Sequence, residues 1–354
     1  MSEANGHMCA ALLRGPGDLQ LSSVARPVPQ PGEVLLKVLA AGVCQTDVHI
    51  RHATDSRTPD GTILGHEIAG EIVELGAGVL EWTTGERVVV HPCWSCGKCR
   101  TCMAGRENEC RATGGRLQPP MTPGVTTNGG MAAYVVAPAR TLFPIGDLDP
   151  ALAAPLTDAG LTPYHAIMSC RELLTPGSTV VVIGLGGLGN MALQILRALT
   201  ASRIVAMDRS QGAMDASREW ADAVLSSDET AVQSVLDMTG GYGADVVLDF
   251  VGIDATMQMA VEMIGRGGAI RVVGLSGGTY TFMARSAGNP LPRGVTIMCP
   301  YSGTYNDLSE VLALARAGAI RPIVNRFSLT DALSALDKLQ AGEIQGRAVL
   351  VPGA

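Results

Sequence analysis

Between residues 33 and 145 the apolar positions come in short runs broken by glycine and proline. The runs 34–40, 71–75, 87–91 and 133–137 are short enough for strands and too short for helices. From residue 178 the rhythm changes. Residues 178–183 form a compact β-branched run, 188–199 carry apolar residues at helical spacing, and 203–207 read as a further strand. Helices are predicted at 212–220, 230–239 and 254–264, and strands at 245–250 and 269–273. Strands alternating with helices predict a parallel sheet covered on both faces. Beyond 295 the pattern is mixed, with helices at 308–317 and 331–340 and a last strand at 347–351. Neither an internal repeat nor a low-complexity tract is present.

Composition adds bounds to this picture. The chain has 354 residues, 47% of them hydrophobic and 17% charged, which gives a folded chain with room for two domains. Its net charge of -7 and the lack of a basic stripe argue against a nucleic-acid partner. Residues 1–10 lack the charged and apolar regions of a secretory signal, and no apolar stretch is long enough to span a bilayer. The first seven or eight residues read as a polar extension that adds nothing to the fold. A cytoplasmic location is expected.

The run 181–189, Val-Val-Ile-Gly-Leu-Gly-Gly-Leu-Gly, follows a predicted strand and opens a predicted helix. Gly184, Gly186, Gly187 and Gly189 permit a tight turn and close approach of a pyrophosphate to a helix N-terminus. Asp208 ends the next strand, where a carboxylate accepts bonds from ribose hydroxyls and repels a 2′-phosphate. NAD is therefore expected rather than NADP, although the adjacent Arg209 weakens the contrast.

Nine cysteines occur, and in a chain without a secretory signal their clustering suggests metal before disulfides. Cys96, Cys99, Cys102 and Cys110 form C-x2-C-x2-C-x7-C, four thiolates that can close a tetrahedron around zinc and leave no open position. An iron–sulfur cluster uses the same ligands, but hydride chemistry needs no one-electron relay. Cys93, just upstream, reads as a bystander, and Cys170 as a buried free thiol.

Two further segments complete the pattern: Gly42-Val-Cys44-Gln-Thr46-Asp47-Val-His49 and Gly65-His66-Glu67-Ile-Ala-Gly70. With the cysteine lobe and the glycine loop, in this order, they make the chain resemble the zinc-containing medium-chain alcohol dehydrogenases from about Cys9 to the C-terminus. The resemblance implies an α/β fold with a GroES-like β-rich catalytic domain at 1–154 and 295–354. A Rossmann domain with a doubly wound parallel sheet is implied at 155–294.

By the same resemblance Cys44 and His66 are ligands of a catalytic zinc. Asp158 stands where many members have Cys and where bacterial secondary-alcohol dehydrogenases have Asp. Such a site polarises an alcohol or carbonyl oxygen. Thr46 and His49 match the proton relay, Asp47 the carboxylate that orients His66, and Glu67 a transient zinc ligand. Thr162 and Leu188 match positions flanking the nicotinamide, Val273, Gly274 and Leu275 the strand end beside its carboxamide, and Arg347 an arginine that reaches the pyrophosphate.

Plainer readings stand beside several of these. Thr46 and Asp158 are good helix caps, His49 suits a solvated loop, Glu67 a buried hydrogen-bonded carboxylate, and Arg347 a surface strand. Gln45 departs from the His or Arg of many relatives and removes a contact to the cofactor phosphate. Glu86 replaces the usual Asp of Gly-Asp-Arg-Val. The implied activity is reversible hydride transfer between NAD and a secondary alcohol or ketone, with primary, benzylic or polyol alcohols as the alternative. A dimeric or tetrameric homo-oligomer is implied as well. At 4% aromatic residues, a pocket lined by Leu and Met suits an apolar, moderately bulky substrate.

Overall fold

A computed structural model describes residues 6–54, 58–281 and 291–352. In chain order the strands are β1 (His7–Gly15), β2 (Asp18–Ala25), β3 (Glu33–Val43), β4 (Glu67–Leu75), β5 (Arg87–Val90), β6 (Tyr134–Pro138) and β7 (Leu142–Pro144). Then come β8 (Thr179–Ile183), β9 (Arg203–Asp208), β10 (Ala223–Ser226), β11 (Ala244–Asp249), β12 (Ile264–Val272) and β13 (Thr296–Met298). The last are β14 (Val324–Ser328) and β15 (Arg347–Val351). The chain divides into two compact units: Met1–Leu161 with Ser302–Arg316 and Pro322–Ala354, and Thr162–Tyr301 with Ala317–Arg321.

In the first unit, β1 and β2 form a hairpin, and β14-β15-β3-β4-β5-β7 form a sheet to which β6 adds by pairing with β3. All of these pairs are antiparallel except β14 with β15. Leu35, Leu36, Ile68 and Ile72 are fully buried between the faces. Each such side chain contributes about 1.5–3 kcal/mol when removed from water. The pairing of β3 with β4 shifts between Val38 and Ala40, leaving Leu39 as an extra residue. A bulge of this kind re-aims the strand just ahead of its functional end.

The second unit is a six-stranded parallel sheet ordered β10-β9-β8-β11-β12-β13. Counted within the unit this is 3-2-1-4-5-6, with the order reversing beside β8. The strands are continuous apolar runs such as Val180–Ile183 and Ile204–Met207, as expected where helices cover both faces.

Most predicted elements are present, with ends displaced by a few residues, and the strand expected at 347–351 coincides with β15. The C-terminal return to the first sheet is present, since β15 pairs with β3. The polar extension needs correction. Residues 1–5 lie outside the described residues, but His7 begins β1 and Met8 is buried in the first core. The two compact units divide at 161/162 and 301/302, with 317–321 also in the second unit. The helix Pro150–Pro155 and the turn after it pack on β3 and β4, which keeps residues 155–161 with the first unit.

Candidate active site

Sheet register assembles the first cluster. Val349 of β15 pairs with Gly42 of β3, and Gly42 pairs with Glu67 of β4. The start of β15, the end of β3 and the start of β4 therefore meet. Cys44 leaves β3 and caps the helix Gln45–His52. Asp47, fully buried on that helix, binds both neighbouring segments: its Oδ2 accepts from Cys44 N–H at 2.8 Å, and its Oδ1 from Gly65 N–H at 3.3 Å. The same Oδ1 lies 3.6 Å from His66 Nδ1, so a carboxylate faces the ring nitrogen opposite the cluster. Asp158 comes from a π-helical turn, Leu156–Gly160, between two α-helices. The extra residue in such a turn marks functional positions in many helices.

Cys44, His66, Glu67 and Asp158 each offer a ligand atom, and all four atoms lie within 4.8 Å of one another. Cys44 Sγ is 3.4 Å and His66 Nε2 3.8 Å from Asp158 Oδ2. Thr46 Oγ1 lies 3.6 Å from the same sulfur, and His49 is exposed on the same helix. Arg347 is seated on the two carboxylates. Its Nε donates to Glu67 Oε1 at 2.9 Å, and its Nη2 donates to Glu67 Oε1 and, at 2.6 Å, to Asp158 Oδ2. It is only 5% exposed, which also removes the surface-charge reading.

The electrostatics follow from this crowding. Burial alone lowers the pKa of His66, but the carboxylates of Asp47 and Asp158 outweigh it and hold the ring well above its ordinary value. Burial pushes the Glu67 carboxyl up to about 7, against the opposing pull of Arg347. A thiol, an imidazole and two carboxyls thus share a buried space in which Arg347 is the permanent cation. Glu67 Oε2 and His66 Nδ1 are buried there without a hydrogen bond. Sulfur, nitrogen and oxygen donors at this separation fit zinc.

The second cluster is the cysteine lobe. The sulfurs of Cys96, Cys99, Cys102 and Cys110 also lie within 4.8 Å of one another. Backbone N–H groups of Cys96 and Cys99 donate to the sulfurs of Cys110 and Cys96, both at 3.3 Å, which favours thiolates. The Thr101 hydroxyl and the Cys102 N–H lower Cys99 to about 5. Four sulfurs with no further ligand fit a closed zinc site. Cys93 stands outside this group, and burial pushes its thiol up to about 12. Cys170 is buried too, with its thiol raised by burial to about 11.

The glycine loop lies in the second unit between β8 and the helix Gly187–Leu199. Gly184 has φ +87, and a Cβ on Gly189 would fall 1.8 Å from Gly184 O. A Cβ on Gly186 would meet no protein atom, so the space beside it is open to a ligand. Leu188, in the first helical turn, is half-buried. Asp208 braces the loop: its Oδ2 accepts from Leu185 N–H at 2.6 Å, and its Oδ1 from the N–H groups of exposed Arg209 and of Ser210. Thr162 and Val273 are buried, while Leu275 is 74% exposed. Gly274 lies against the backbone of Val251 and Gly252, where a Cβ would sit 2.1 Å from a carbonyl carbon.

Sequence reasoning missed Asp249, which ends β11. Its carboxylate accepts from Val251 N–H, Gly252 N–H and the Thr256 hydroxyl, fixing the loop on which Gly274 rests. An acidic residue closing an apolar strand was the available signal. The pairing of Arg347 with Glu67 and Asp158 left no sequence signal, because it depends on strand register.

The chain and its fold are similar to known proteins. The family described as alcohol dehydrogenase GroES-like domain matches residues 30–147, and that described as zinc-binding dehydrogenase matches residues 187–317. An NAD-dependent alcohol dehydrogenase of Sulfurisphaera tokodaii is 34% identical, over 94% of this chain and 96% of its own length. A D-arabinose 1-dehydrogenase (NADP(+)) of Saccharolobus solfataricus is also 34% identical, over 97% of each chain. Among solved structures, the acetophenone reductase of Geotrichum candidum in complex with NAD matches with a TM-score of 0.85. It shows 32% identity over 99% of this chain and 98% of that one. The chain belongs to the zinc-containing medium-chain alcohol dehydrogenase family.

Proposed function

We propose that the chain interconverts a secondary alcohol and its ketone, passing hydride to and from NAD, as in the secondary-alcohol branch of the family. The observation that carries the reading is a carboxylate, Asp158, beside Cys44 and His66 where other members use a thiolate. Cys44, His66 and Asp158 would hold the catalytic zinc, and Cys96, Cys99, Cys102 and Cys110 a structural one. The catalytic ion supplies Lewis acidity, drawing electron density from a hydroxyl or carbonyl oxygen.

The protein's own groups do the rest. Thr46 takes the hydroxyl proton of the substrate, and exposed His49 passes it toward water. Asp47 orients His66 by facing its Nδ1. Gly184, Gly186, Gly187 and Gly189 make room for the pyrophosphate, and Asp208 accepts from the adenosine ribose. Among the described residues Asp208 accepts three backbone N–H groups, so lone pairs remain for those hydroxyls. Thr162, Leu188, Val273, Gly274 and Leu275 would border the nicotinamide.

The relatives differ in substrate and cofactor, one an acetophenone reductase bound to NAD and another a D-arabinose dehydrogenase using NADP(+). Kinetics of the zinc-loaded enzyme with 2-alkanols, 1-alkanols, benzyl alcohol and sorbitol, each with NAD and with NADP, test the reading. A higher kcat/KM for a primary, benzylic or polyol substrate would overturn the secondary-alcohol assignment. No turnover with any of them would overturn the enzyme.

A homo-oligomer is supported by β13, an edge strand whose Ile297 and Met298 are exposed. Light scattering that gives a monomer would remove it. Among the described residues no helix is long and apolar enough to cross a membrane. A cytoplasmic home suits the reduced thiols on which both metal sites depend.

A further inference from the structure

The hairpin of β1 and β2 parts from the first sheet at a definite place. Ala11 N–H donates to Met131 O at 2.8 Å, Ala133 N–H to Cys9 O at 3.0 Å, and Leu13 N–H to Thr62 O at 2.9 Å. One step further along, Tyr134 opens β6 and pairs with Lys37 of β3 instead. The hairpin and β6 therefore diverge, and a cavity of about 450 Å³ lies beside them, a volume in the range of small-molecule sites. Met8, Leu12, Val24, Ile63 and Val136 give it apolar walls. No residue of either metal cluster lines it.

The polar groups of this wall are chiefly donors. Trp94 is 7% exposed, and its Nε1–H is buried without a hydrogen bond. A buried donor left unpaired weakens the fold unless an acceptor reaches it. Arg14, on the face of β1 that carries Met8 and Leu12, is exposed and has no hydrogen bond or ion pair among the described residues. Asn128 Oδ1 already accepts from Ile63 N–H at 3.0 Å, so its amide N–H groups remain as donors. Arg26 adds a second cation, 4.3 Å above the Tyr134 ring. Against these stands one acid, Glu33, whose Oε2 accepts from Gln30 N–H at 2.9 Å.

We propose that this cavity binds a small carboxylic acid with an apolar body, at a site separate from hydride transfer. The carboxylate pairs with Arg14, whose planar guanidinium matches it, and supplies the acceptor that Trp94 lacks. The apolar body lies on Met8, Leu12, Val24 and Ile63, which removes its surface from water.

The test is calorimetric titration of the full-length, zinc-loaded enzyme with decanoate and with decanamide, which keeps the chain and drops the charge. Decanoate should bind once per chain and more tightly than decanamide. Arg14→Gln should weaken decanoate by on the order of tenfold and leave decanamide nearly unchanged, as expected when a charge-assisted pair is lost. Its kcat and KM for the alcohol should match the wild type. Trp94→Phe keeps an aromatic wall, loses the N–H and should weaken both ligands. If that variant is too unstable to purify, Arg14→Gln, at an exposed position, still decides. Decanoate that binds either variant at wild-type strength, as one held by the catalytic zinc would, overturns the proposal. So does a wild type that binds no decanoate or prefers decanamide.

Discussion

Gly42 faces Glu67 across β3 and β4, and a side-chain carbon at residue 42 would fall 1.7 Å from Glu67 Oε2 and 2.8 Å from Glu67 Cβ. The first clash could be relieved by rotation, but the second could not, because Cβ moves only with the strand. Gly42→Ala should therefore push β3 and β4 apart at the end that carries Cys44 and His66. Overpacking of this kind costs about 1–3 kcal/mol. The expected outcome is a lower melting temperature together with loss of one equivalent of metal per chain. A variant with wild-type melting temperature and full metal content would contradict the packing argument.

Asp158→Ala separates the two metal sites. The four cysteines are remote in sequence from the π-turn and need nothing from it, so their metal should remain while the catalytic one is lost. The Lewis acid accounts for several kcal/mol of transition-state stabilisation, so turnover should fall by roughly a hundredfold or more. Elemental analysis and steady-state kinetics on the same preparation read both effects. Full activity, or loss of both metals, would count against Asp158 as a ligand.

These residues show how far the sequence could be read. Cys44, His66 and Asp158 were legible through the resemblance to the family, and the structure brings their ligand atoms within 4.8 Å of one another. Four of the six parallel strands, β8, β9, β11 and β12, were legible because burial on both faces makes them continuous apolar runs. The hairpin β1–β2 was not, because β2 is exposed or half-buried at all but one position. Short edge strands such as β10 and β13 were missed for the same reason. The place of Arg347 was beyond reach, since it follows from the pairing of β15 with β3, a contact between residues some 300 apart in the chain.

His91 makes the fold acid-sensitive. It is fully buried, its Nδ1 accepts from Cys93 N–H at 3.0 Å, and its ring lies 4.6 Å from that of Tyr305. Burial lowers its pKa from the ordinary 6.5 to about 4. A depressed folded-state pKa contributes stability that is complete above the unfolded value and is lost as pH falls through the folded one. The window therefore runs from about pH 6.5 down to about 4, and the effect is on the order of 3 kcal/mol. His91→Asn, which retains an acceptor for Cys93 N–H but does not titrate, should flatten that part of the stability profile. Urea unfolding at a series of pH values measures it, and parallel profiles for the two proteins would exclude His91 as the source.

Asp208→Asn probes cofactor choice. The carboxylate has two tasks, bracing the loop through Leu185 N–H at 2.6 Å and presenting negative charge where a 2′-phosphate would lie. The amide keeps an acceptor oxygen for the first task and drops the charge of the second. Arg209, exposed beside it, is then free to attract the phosphate. Removing a repulsion and unmasking an attraction between partly solvated charges changes binding by about 1 kcal/mol or somewhat more, so the NADP to NAD ratio of kcat/KM should rise roughly tenfold. The KM for the alcohol should stay the same, because residue 208 belongs to the cofactor loop. A fall in activity with both cofactors would indicate that the loop has lost its brace. Retained activity with an unchanged ratio would mean that Asp208 does not discriminate at the ribose.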